Sequence, residues 1–384
     1  MSAAPDIPSL RLDPVLVGAS LGLAALGAIM VGSASIAIAE RDMGEPLFYF
    51  TRHLGALGAG GLCALLAASI PTQVWYRLSA VLLIAGFALL ALVLVPGIGD
   101  TVNGSARWLE LGPLRFQASE PARLCLLMYL ASYAVRRNAD LTASFKGFLK
   151  PMLVIAAACA LLLAEPDFGA AVVLTTTSLG ILFVAGARFR DFTLAVAVAS
   201  AALAVLAVSS AYRVQRLTAF LDPWGDPFAS GFQLTNSLIA IGRGDWLGVG
   251  LGESVQKLFY LPEAHTDFVF AVVAEELGFA GATLVIGLFA LLVYRAITLG
   301  QRALAAGLHF QGLLSTGIGV MLGFQACINI GVNTGLLPTK GLTLPLISYG
   351  RSSAVVTLAA LGILLRIYAE LRAWEQAPRR RSRA

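Results

Sequence analysis

Charged residues are scarce in this sequence: Asp, Glu, Lys and Arg make up 13% of its 384 residues, against about 25% in ordinary soluble domains. Hydrophobic residues make up 58%. A chain of this composition cannot cover a surface that faces water, so a soluble enzyme, a disordered chain and a coiled coil are excluded. The composition predicts an integral membrane protein whose fold is set by the bilayer.

Cysteine is also rare, and several catalytic motifs are missing. The four cysteines lie inside apolar stretches, and none has a partner at the spacing of a metal site or a redox pair: Cys63, Cys125, Cys159 and Cys327. This pattern excludes a disulfide-stapled secreted module and predicts small core residues. The HExxH, P-loop and GxSxG motifs are absent from the sequence, so a metalloprotease, an ATPase and a serine hydrolase have no support.

What the sequence has instead is a series of apolar runs of about 20 residues, the length that crosses a bilayer core. Six contain no Asp, Glu, Lys or Arg, three are long enough only if they include ionisable residues, and one, at residues 148–164, is short and includes Lys150. The pattern predicts an all-α bundle of about ten membrane-spanning helices, at residues 14–39, 53–76, 78–99, 118–135, 148–164, 168–187, 192–212, 268–294, 308–337 and 342–365. We interpret residues 1–384 as a single polytopic domain.

The distribution of basic residues predicts the orientation. An even number of spans places both termini on one side, and the short loops of that side are rich in Lys and Arg, which makes it cytoplasmic. The basic tail of about residues 366–384 either fixes this topology or contacts anionic lipid. On the opposite side, residues 213–266 form a long loop between helices 7 and 8, which we expect to be ordered because long unstructured loops are uncommon in compact domains.

Ionisable residues within or beside the spans are candidate functional residues because burying them in lipid is costly. Glu120 and Arg123 are three apart on one helical face and are predicted to form an ion pair that points into the bundle. This pair either serves the site or only pins two helices together. Asp167 opens a predicted helix, where a carboxylate suits the positive end of the helix dipole, and capping alone would explain it.

The strongest constellation is the run YLPEAHTDFVF at residues 260–270. Thr266 is a predicted N-cap, which would place Asp267 in the first helical turn at the membrane boundary. A carboxylate there is partly desolvated yet reachable from water, which suits a general base. Helix capping is the alternative role. On a helix of 100° per residue, Glu275 lies near the Asp267 face and Glu276 lies opposite.

A basic cluster in the long loop points to an anionic ligand. Arg213 and Arg216 lie where a span meets this loop, and Arg243 and Lys257 follow within it. Because guanidinium groups bind phosphate oxygens bidentately, the cluster suits a diphosphate at the level of the lipid headgroups. Contact with anionic lipid is the alternative.

Several motifs together resemble one protein family. LPEAHTDF at 261–268 and PTKGLTLPLISYG at 338–350 resemble the SEDS family (shape, elongation, division and sporulation) of bacterial cell-wall polymerases. Residues 103–108, 117–120, 165–167 and 239–242 also match the family pattern, so the resemblance covers nearly the whole chain. Residues 337–343 and 254–258 are similar to the division branch rather than the elongation branch.

The resemblance implies a peptidoglycan glycosyltransferase that polymerises lipid II into β-1,4 glycan strands and releases undecaprenyl diphosphate. The essential aspartate of the family falls on Asp267. We assign Gln233 and Ser348 to the diphosphate site together with the basic cluster, and His265 and Lys340 to the supporting ionisable residues. A lipid II flippase or transporter and a non-catalytic division scaffold are the alternatives.

The same resemblance implies partners and a location. These are a class B penicillin-binding protein of the division type, which is a transpeptidase, and the regulatory division complex at the septum of the cytoplasmic (inner) membrane, with no nucleic acid. A divalent cation, Mg²⁺ or Mn²⁺, is a family expectation alone, since the sequence shows no ligand cluster for it.

Three positions depart from the family pattern. Ala118 replaces a proline, and Arg123 replaces a lysine, which turns a point-like ammonium into a planar fork. Arg351 stands where the family has a second glycine. Since an arginine adopts a positive φ only at a cost, either the turn is ordinary here or the backbone shifts.

Overall fold

The computed structural model describes residues 12–102, 105–111, 114–209, 211–339 and 341–377. Within them the chain forms helices, with one small sheet between α3 and α4 and longer connections before α11 and before α13. The helices are α1 Pro14–Met43, α2 Phe48–Ser69, α3 Thr72–Val93, α4 Ser119–Arg136, α5 Asn138–Ala143, α6 Phe145–Ala164, α7 Phe168–Val184, α8 Phe189–Val208, α9 Ala211–Leu221, α10 Phe232–Gly244, α11 Val269–Ala305, α12 His309–Asn333 and α13 Arg351–Gln376.

The predicted class, an α-helical polytopic membrane protein, is confirmed. Within the described ranges, seven helices are long and apolar enough to cross a membrane: α1, α3, α6, α8, α11, α12 and α13. The helices α2, α4 and α7 overlap three further predicted spans, and the total of ten crossings stays a prediction. One hydrophobic core runs through the bundle, in which α11 packs on α12 and α1, and α13 packs on α2.

The ends of α1 follow ordinary capping rules. The Asp13 carboxylate accepts hydrogen bonds from Val15 N at 3.0 Å and Leu16 N at 3.3 Å, and Pro14 occupies the first helical position. Gly44 ends the helix with a φ of 71°, a left-handed conformation that glycine adopts without strain. The predicted start of this helix at residue 14 is therefore confirmed, and its end lies four residues later than predicted.

The predicted boundary between the second and third spans, at Arg77, is wrong. The helix α2 ends at Ser69 and α3 begins at Thr72, so Arg77 lies inside α3. The cause is Pro71, because a proline forces the residue before it out of the helical region, and Ile70 has a φ of −85° and a ψ of 123°. A boundary placed by charge alone missed this stop signal.

The basic tail also begins later than predicted. The helix α13 continues to Gln376, and within it Arg366 is buried and pairs with Glu370, with 2.8 Å between Nε and Oε1. Glu370 in turn accepts a hydrogen bond from Thr72 N at 2.9 Å, at the start of α3. Arg366 is thus part of the folded inner end, and residues 378–384 lie outside the described residues.

The first outer loop forms a three-stranded antiparallel sheet, which the all-α prediction did not include. Its strands are β1 Gly99–Val102, β2 Ser105–Leu111 and β3 Leu114–Gln117, in the order β1-β2-β3. Trp108 pairs with Asp100 on one side and with Gln117 on the other. The sheet ends directly before α4, and Gln117 N donates to Ser352 Oγ at 2.9 Å, which fixes the sheet against α13.

The long outer loop is hydrogen-bonded to the backbone of α11 at a break in that helix. At Gly278 the backbone φ is 66°, and the helix loses its regular hydrogen bonds. Residues 245–250 replace them: Val249 N donates to Glu275 O at 3.0 Å, and Phe279 N donates to Asp245 O at 2.8 Å. A side chain at Gly278 would clash with this loop, since its Cβ would lie 2.3 Å from Gly248 N. Irregular backbone is tolerated in a membrane protein where other parts of the protein satisfy it.

The structure of the segment between α12 and α13 shows how Arg351 is accommodated where the family has a glycine. Arg351 is the first residue of α13, so it does not need a positive φ, and Gly350 before it is extended with a φ of −161°. The strained position is Leu346, with a φ of 64°. Gly27 of α1 packs against Leu346 so closely that a Cβ there would lie 2.1 Å from the Leu346 carbonyl oxygen.

Candidate active site

Asp267 lies in the turn just before α11, at the end of the bundle that carries the sheet (the outer end). The prediction that it occupies the first helical turn is wrong, because α11 begins at Val269 with Phe268 as its N-cap residue. Thr266, the predicted N-cap, instead donates its hydroxyl to Glu263 Oε2 at 2.6 Å. A further hydrogen bond, from Phe268 N to Glu263 O at 3.1 Å, closes a tight turn, so the helix begins only after this turn.

The backbone of Asp267 is held by a neighbouring helix. Asn329 Nδ2 and Asn333 Nδ2, both on α12, donate to the Asp267 carbonyl oxygen at 2.8 and 3.0 Å. Both asparagines are buried. The position of Asp267 therefore depends on residues more than 60 positions away in sequence, and not on its own loop alone.

The carboxylate of Asp267 lies against Gly341. A methyl group at Gly341 would be 3.1 Å from Asp267 Oδ2, so only the missing side chain lets the two segments approach this closely. Burial raises the pKa of Asp267 to about 7, with a further rise from the Glu263 charge and an opposing effect of Arg107 and Arg216. A carboxyl with this pKa is partly ionised near neutral pH, which suits a general base.

Two arginines lie near this carboxylate, one predicted and one missed. Arg216 of α9, a predicted diphosphate ligand, donates from Nη1 to the Thr339 carbonyl at 3.2 Å. Arg107 of β2 donates from Nη2 to the Pro166 carbonyl at 2.6 Å and from Nε to the Glu165 carbonyl at 3.4 Å. Both arginines counter the rise in the pKa of Asp267, so each contributes positive potential at the candidate base.

The turn between α6 and α7 contributes two buried carboxyls. Asp167 caps α7 as predicted, since its Oδ1 accepts from Ala170 N at 3.1 Å, and its Oδ2 accepts from Gln117 Nε2 at 3.3 Å. Glu165 is fully buried, and neither of its carboxyl oxygens has a hydrogen-bond partner among the described residues. Burial raises the pKa of Glu165 to about 8, so it is mostly protonated at neutral pH.

The predicted pair between Glu120 and Arg123 is present and buried, with 2.5 Å between Oε1 and Nη2. Arg123 also reaches α12, where its Nη1 donates to Gln325 Oε1 at 3.4 Å. The pair thus joins α4 to α12 within the bundle, which fits the alternative that it pins two helices. A role in the reaction stays a prediction.

The other two members of the basic cluster are engaged by acidic residues of α11. Lys257 is buried, and its Nζ donates to Glu276 Oε1 at 2.7 Å, to Gly252 O at 2.7 Å and to Ser33 Oγ at 2.9 Å. Since an ammonium has three donors, this geometry leaves none for a diphosphate and corrects that assignment. Arg243, which is partly exposed, lies 3.4 Å from Glu275 Oε1 through Nη1.

Glu275 and Glu276 hold the outer loop in place. Glu275 is fully buried and accepts hydrogen bonds from Val255 N at 3.2 Å and Gln256 N at 3.4 Å. Its carboxylate therefore faces the outer loop, which is hydrogen-bonded to α11 at the helix break. The interpretation that Glu275 shares a helical face with Asp267 does not hold, because Asp267 precedes the helix.

Ser348 and His265 are both buried. The Ser348 hydroxyl accepts a hydrogen bond from Leu344 N at 2.8 Å, so it stabilises its own turn, and its place in the diphosphate site stays a prediction. His265 packs between Tyr49 and Tyr349, with ring centroids 4.7 and 5.7 Å away, and burial lowers its pKa. Gln233 lies half-buried in the first turn of α10.

Two predicted site residues, Lys340 and Arg213, have no described side chain. Lys340 lies outside the described residues, and of Arg213 only the backbone in α9 is described. Where the structure describes side chains, no group of three or more His, Cys, Asp or Glu residues is placed to hold a metal ion. The divalent cation therefore stays a prediction, and no step is derived through it.

Comparisons with known proteins assign the chain to a protein family. Residues 15–373 match the family model of FtsW, RodA and SpoVE, described as a cell cycle protein. A protein of Thioalkalivibrio sulfidiphilus named as a probable peptidoglycan glycosyltransferase FtsW is 54% identical over 360 residues, which cover 94% of this chain and 90% of that protein. The chain belongs to the FtsW/RodA/SpoVE family.

Other members of the FtsW/RodA/SpoVE family agree with this assignment. A Coxiella burnetii protein with the same name is 52% identical, with 92% of this chain and 95% of that protein covered. Among solved structures, Thermus thermophilus RodA matches with a TM-score of 0.70 and 33% identity over 93% of this chain and 97% of that chain. A chain from a peptidoglycan synthase complex that coordinates polymerization and crosslinking matches with a TM-score of 0.77 and 34% identity, covering 96% and 100%.

As a member of the FtsW/RodA/SpoVE family, the chain is a multi-pass protein of the inner membrane. Sequence reasoning missed several residues that shape its candidate site: Arg107, Glu165, Asn329, Asn333 and Gly341. One signal could have revealed the asparagines, since amide side chains recur every four residues in the second half of α12. Arg107 and Glu165 lie within the stretches 103–108 and 165–167 that match the family pattern, but the sequence assigned neither of them a role.

Proposed function

We propose that the chain is a peptidoglycan glycosyltransferase that polymerises lipid II into glycan strands, with Asp267 as its general base. The observation that carries this proposal is the Asp267 carboxyl at the outer end, whose pKa of about 7 lets it accept a proton near neutral pH. The names of the curated relatives support the activity.

The reaction requires one proton transfer and the departure of one anionic group. Asp267 takes the proton from the 4-hydroxyl of the acceptor sugar while that oxygen attacks the anomeric carbon of the lipid-linked donor. The bond from that carbon to the diphosphate breaks, and undecaprenyl diphosphate leaves. A single base and an inverting displacement convert an α-linked donor into a β-1,4 linkage.

Positive charge beside the base serves the leaving group. Arg107 and Arg216 both act electrostatically on Asp267, so a diphosphate next to this carboxylate would also experience their positive charge. Guanidinium groups stabilise negative charge that develops on phosphate oxygens in the transition state. Arg213 belongs to the same proposed cluster through its position in α9.

The proposal includes a setting and partners. The chain acts at the division septum with a class B penicillin-binding protein, a transpeptidase, and with the regulatory division complex. The relatives named FtsW support the division role, and the structural similarity to a chain of a peptidoglycan synthase complex supports a crosslinking partner. A divalent cation such as Mg²⁺ or Mn²⁺ remains part of the proposal.

The test is polymerisation of fluorescent lipid II by the purified protein together with its transpeptidase partner. Replacing a general base lowers rates by roughly 10²- to 10⁴-fold, so we expect Asp267→Asn to lose polymerisation by that factor. The matched control is Asp222→Asn, which changes an exposed aspartate of the same outer segment whose carboxylate accepts a hydrogen bond from nearby Gly225 N. The control should polymerise at the wild-type rate.

Two outcomes would contradict the proposal. Polymerisation by Asp267→Asn at a rate near that of the wild type would remove the base from the mechanism. The flippase alternative would be supported if the wild type and Asp267→Asn both moved lipid II across proteoliposome membranes and neither formed polymer.

A further inference from the structure

Three buried carboxamides form a row along one face of α12: Gln325, Asn329 and Asn333, called the amide row here. They are spaced four residues apart, so their side chains stack along the helix. Each is at most 2% exposed. A buried amide is costly unless it is hydrogen-bonded, and three of them within a membrane protein therefore call for a specific set of partners.

Asn329 connects the two segments that meet at the candidate base. Its Nδ2 donates to Asp267 O at 2.8 Å and to Leu342 O at 2.6 Å. Leu342 directly follows Gly341, the residue that lies against the Asp267 carboxylate. One amide group thus sets the spacing between the backbone of Asp267 and the backbone of the segment that faces its carboxylate.

Asn333 holds the start of α11. Its Nδ2 donates to Asp267 O at 3.0 Å, and its Oδ1 accepts from Ala271 N at 3.0 Å. The first N–H groups of a helix lack the regular partner four residues earlier, and the side chain of the N-cap residue Phe268 cannot accept from them. Ala271 N also donates to Phe268 O at 3.1 Å, so Asn333 adds a second acceptor and caps α11 from a neighbouring helix.

Gln325 completes the row one turn further into the bundle. Its Nε2 donates to Thr343 O at 3.1 Å, and its Oε1 accepts from Arg123 at 3.4 Å. Two members of the row, Gln325 and Asn329, therefore bind carbonyls of residues 342–343, and two members, Asn329 and Asn333, bind Asp267. The row ties both segments of the site to one rigid helix.

We infer that the amide row is the positioning element of the active site, which holds Asp267 and Gly341 in register for proton transfer. The inference rests on the proposed function of Asp267 and assigns the row no contact with substrate. Its amides bind backbone carbonyls, so its effect reaches the reaction only through the placement of the carboxylate. A misplacement of about 1 Å lowers an enzymatic rate by up to roughly 10²-fold.

The test compares Asn329→Leu with a control on the same helix. Leucine matches asparagine in shape but donates no hydrogen bond, so both carbonyls lose their shared donor. The control is Thr334→Val, which removes a hydroxyl bonded only within α12, to Ile330 O at 2.9 Å and Gly331 O at 3.3 Å. With lipid II and the transpeptidase partner, we expect Asn329→Leu to lower kcat by about 10- to 100-fold at unchanged KM, and the control to match the wild type.

A second variant guards against a loss of folding. Asn333→Leu keeps a side chain of similar size but cannot donate to Asp267 O, while Ala271 N keeps its bond to Phe268 O at 3.1 Å. We expect a lower kcat and an unchanged KM here too, with a thermal midpoint in detergent within a few degrees of the wild type.

The outcomes separate the two proposals. If Asp267→Asn is inactive while both row variants keep the wild-type kcat, the positioning role is refuted and the general base stands. A purely structural row would lower the thermal midpoint and the yield of folded protein without changing the kcat of the folded fraction. If Asp267→Asn remains active, the proposed function itself fails, whatever the row variants do.

Discussion

Replacing Asp267 by asparagine should make the protein more stable at alkaline pH while it removes the activity. Asparagine has nearly the same shape as aspartate, and it keeps the backbone carbonyl that Asn329 and Asn333 bind. What it removes is a carboxyl that the fold holds in an unfavourable state once ionised. The substitution therefore separates the requirement of catalysis from the requirement of folding.

The magnitude follows from the pKa of this carboxyl. Burial raises the pKa from the ordinary value of 3.8 to about 7, so the folded chain binds the proton more tightly than the unfolded chain does. Folding is then favoured most below pH 4, and stability falls as the pH rises from about 4 to about 7. The rise corresponds to at most about 4 kcal/mol. Since Asp267 is partly exposed, solvent screening reduces this to about 2 kcal/mol.

Thermal unfolding in detergent at pH 5, 6, 7 and 8 provides the measurement. The advantage of Asp267→Asn over the wild type should be about a third of its full size at pH 5, grow through pH 7 and level off at pH 8. Asp222→Asn is the control and should follow the wild-type curve throughout. A variant that is less stable than the wild type at pH 8, or an advantage independent of pH, would refute the reasoning from burial.

Three further predictions follow from the same geometry. The initial rate of polymerisation should rise with pH to a plateau, with a midpoint near the pKa of about 7 for Asp267, and a midpoint near 4 would contradict this. Gly341→Ala should lower kcat about tenfold at an unchanged thermal midpoint, because its Cβ at 3.1 Å pushes the Asp267 carboxylate aside; wild-type kinetics would show that the close approach is dispensable. Lys257→Met leaves the buried Glu276 without its ion-pair partner and should cost about 3–5 kcal/mol of stability, measured as a lower thermal midpoint. The double variant Lys257→Met/Glu276→Gln should partly restore the midpoint. A double variant as unstable as the single one would contradict the pairing.

Local signals in the sequence were sufficient for much of the fold. The apolar runs predict the membrane helices, including the start of α1 at residue 14, and the spacing of Glu120 and Arg123 predicts their ion pair. Each of these features depends on residues within a few positions of one another. The boundary at Pro71 also had a local signal, which a criterion based on charge overlooked.

The candidate site could be predicted only in part, because its geometry depends on distant segments. The motif around Asp267 identified the candidate base, but its partners Asn329 and Asn333 come from another helix. Lys257 was assigned to a diphosphate because a basic residue in an outer loop looks available in sequence. Its pairing with Glu276 arises only when the loop folds back onto α11.

The break at Gly278 has a consequence for protein engineering. Outer loops of membrane proteins are common places for epitope tags and fluorescent reporters, since most loops tolerate extra residues. Here residues 245–250 supply the hydrogen bonds that α11 lacks, so an insertion among them would unravel a helix instead of lengthening a connection. The turn at residues 222–230, between α9 and α10, makes no such bonds to α11 in the described backbone and is the better place for a label.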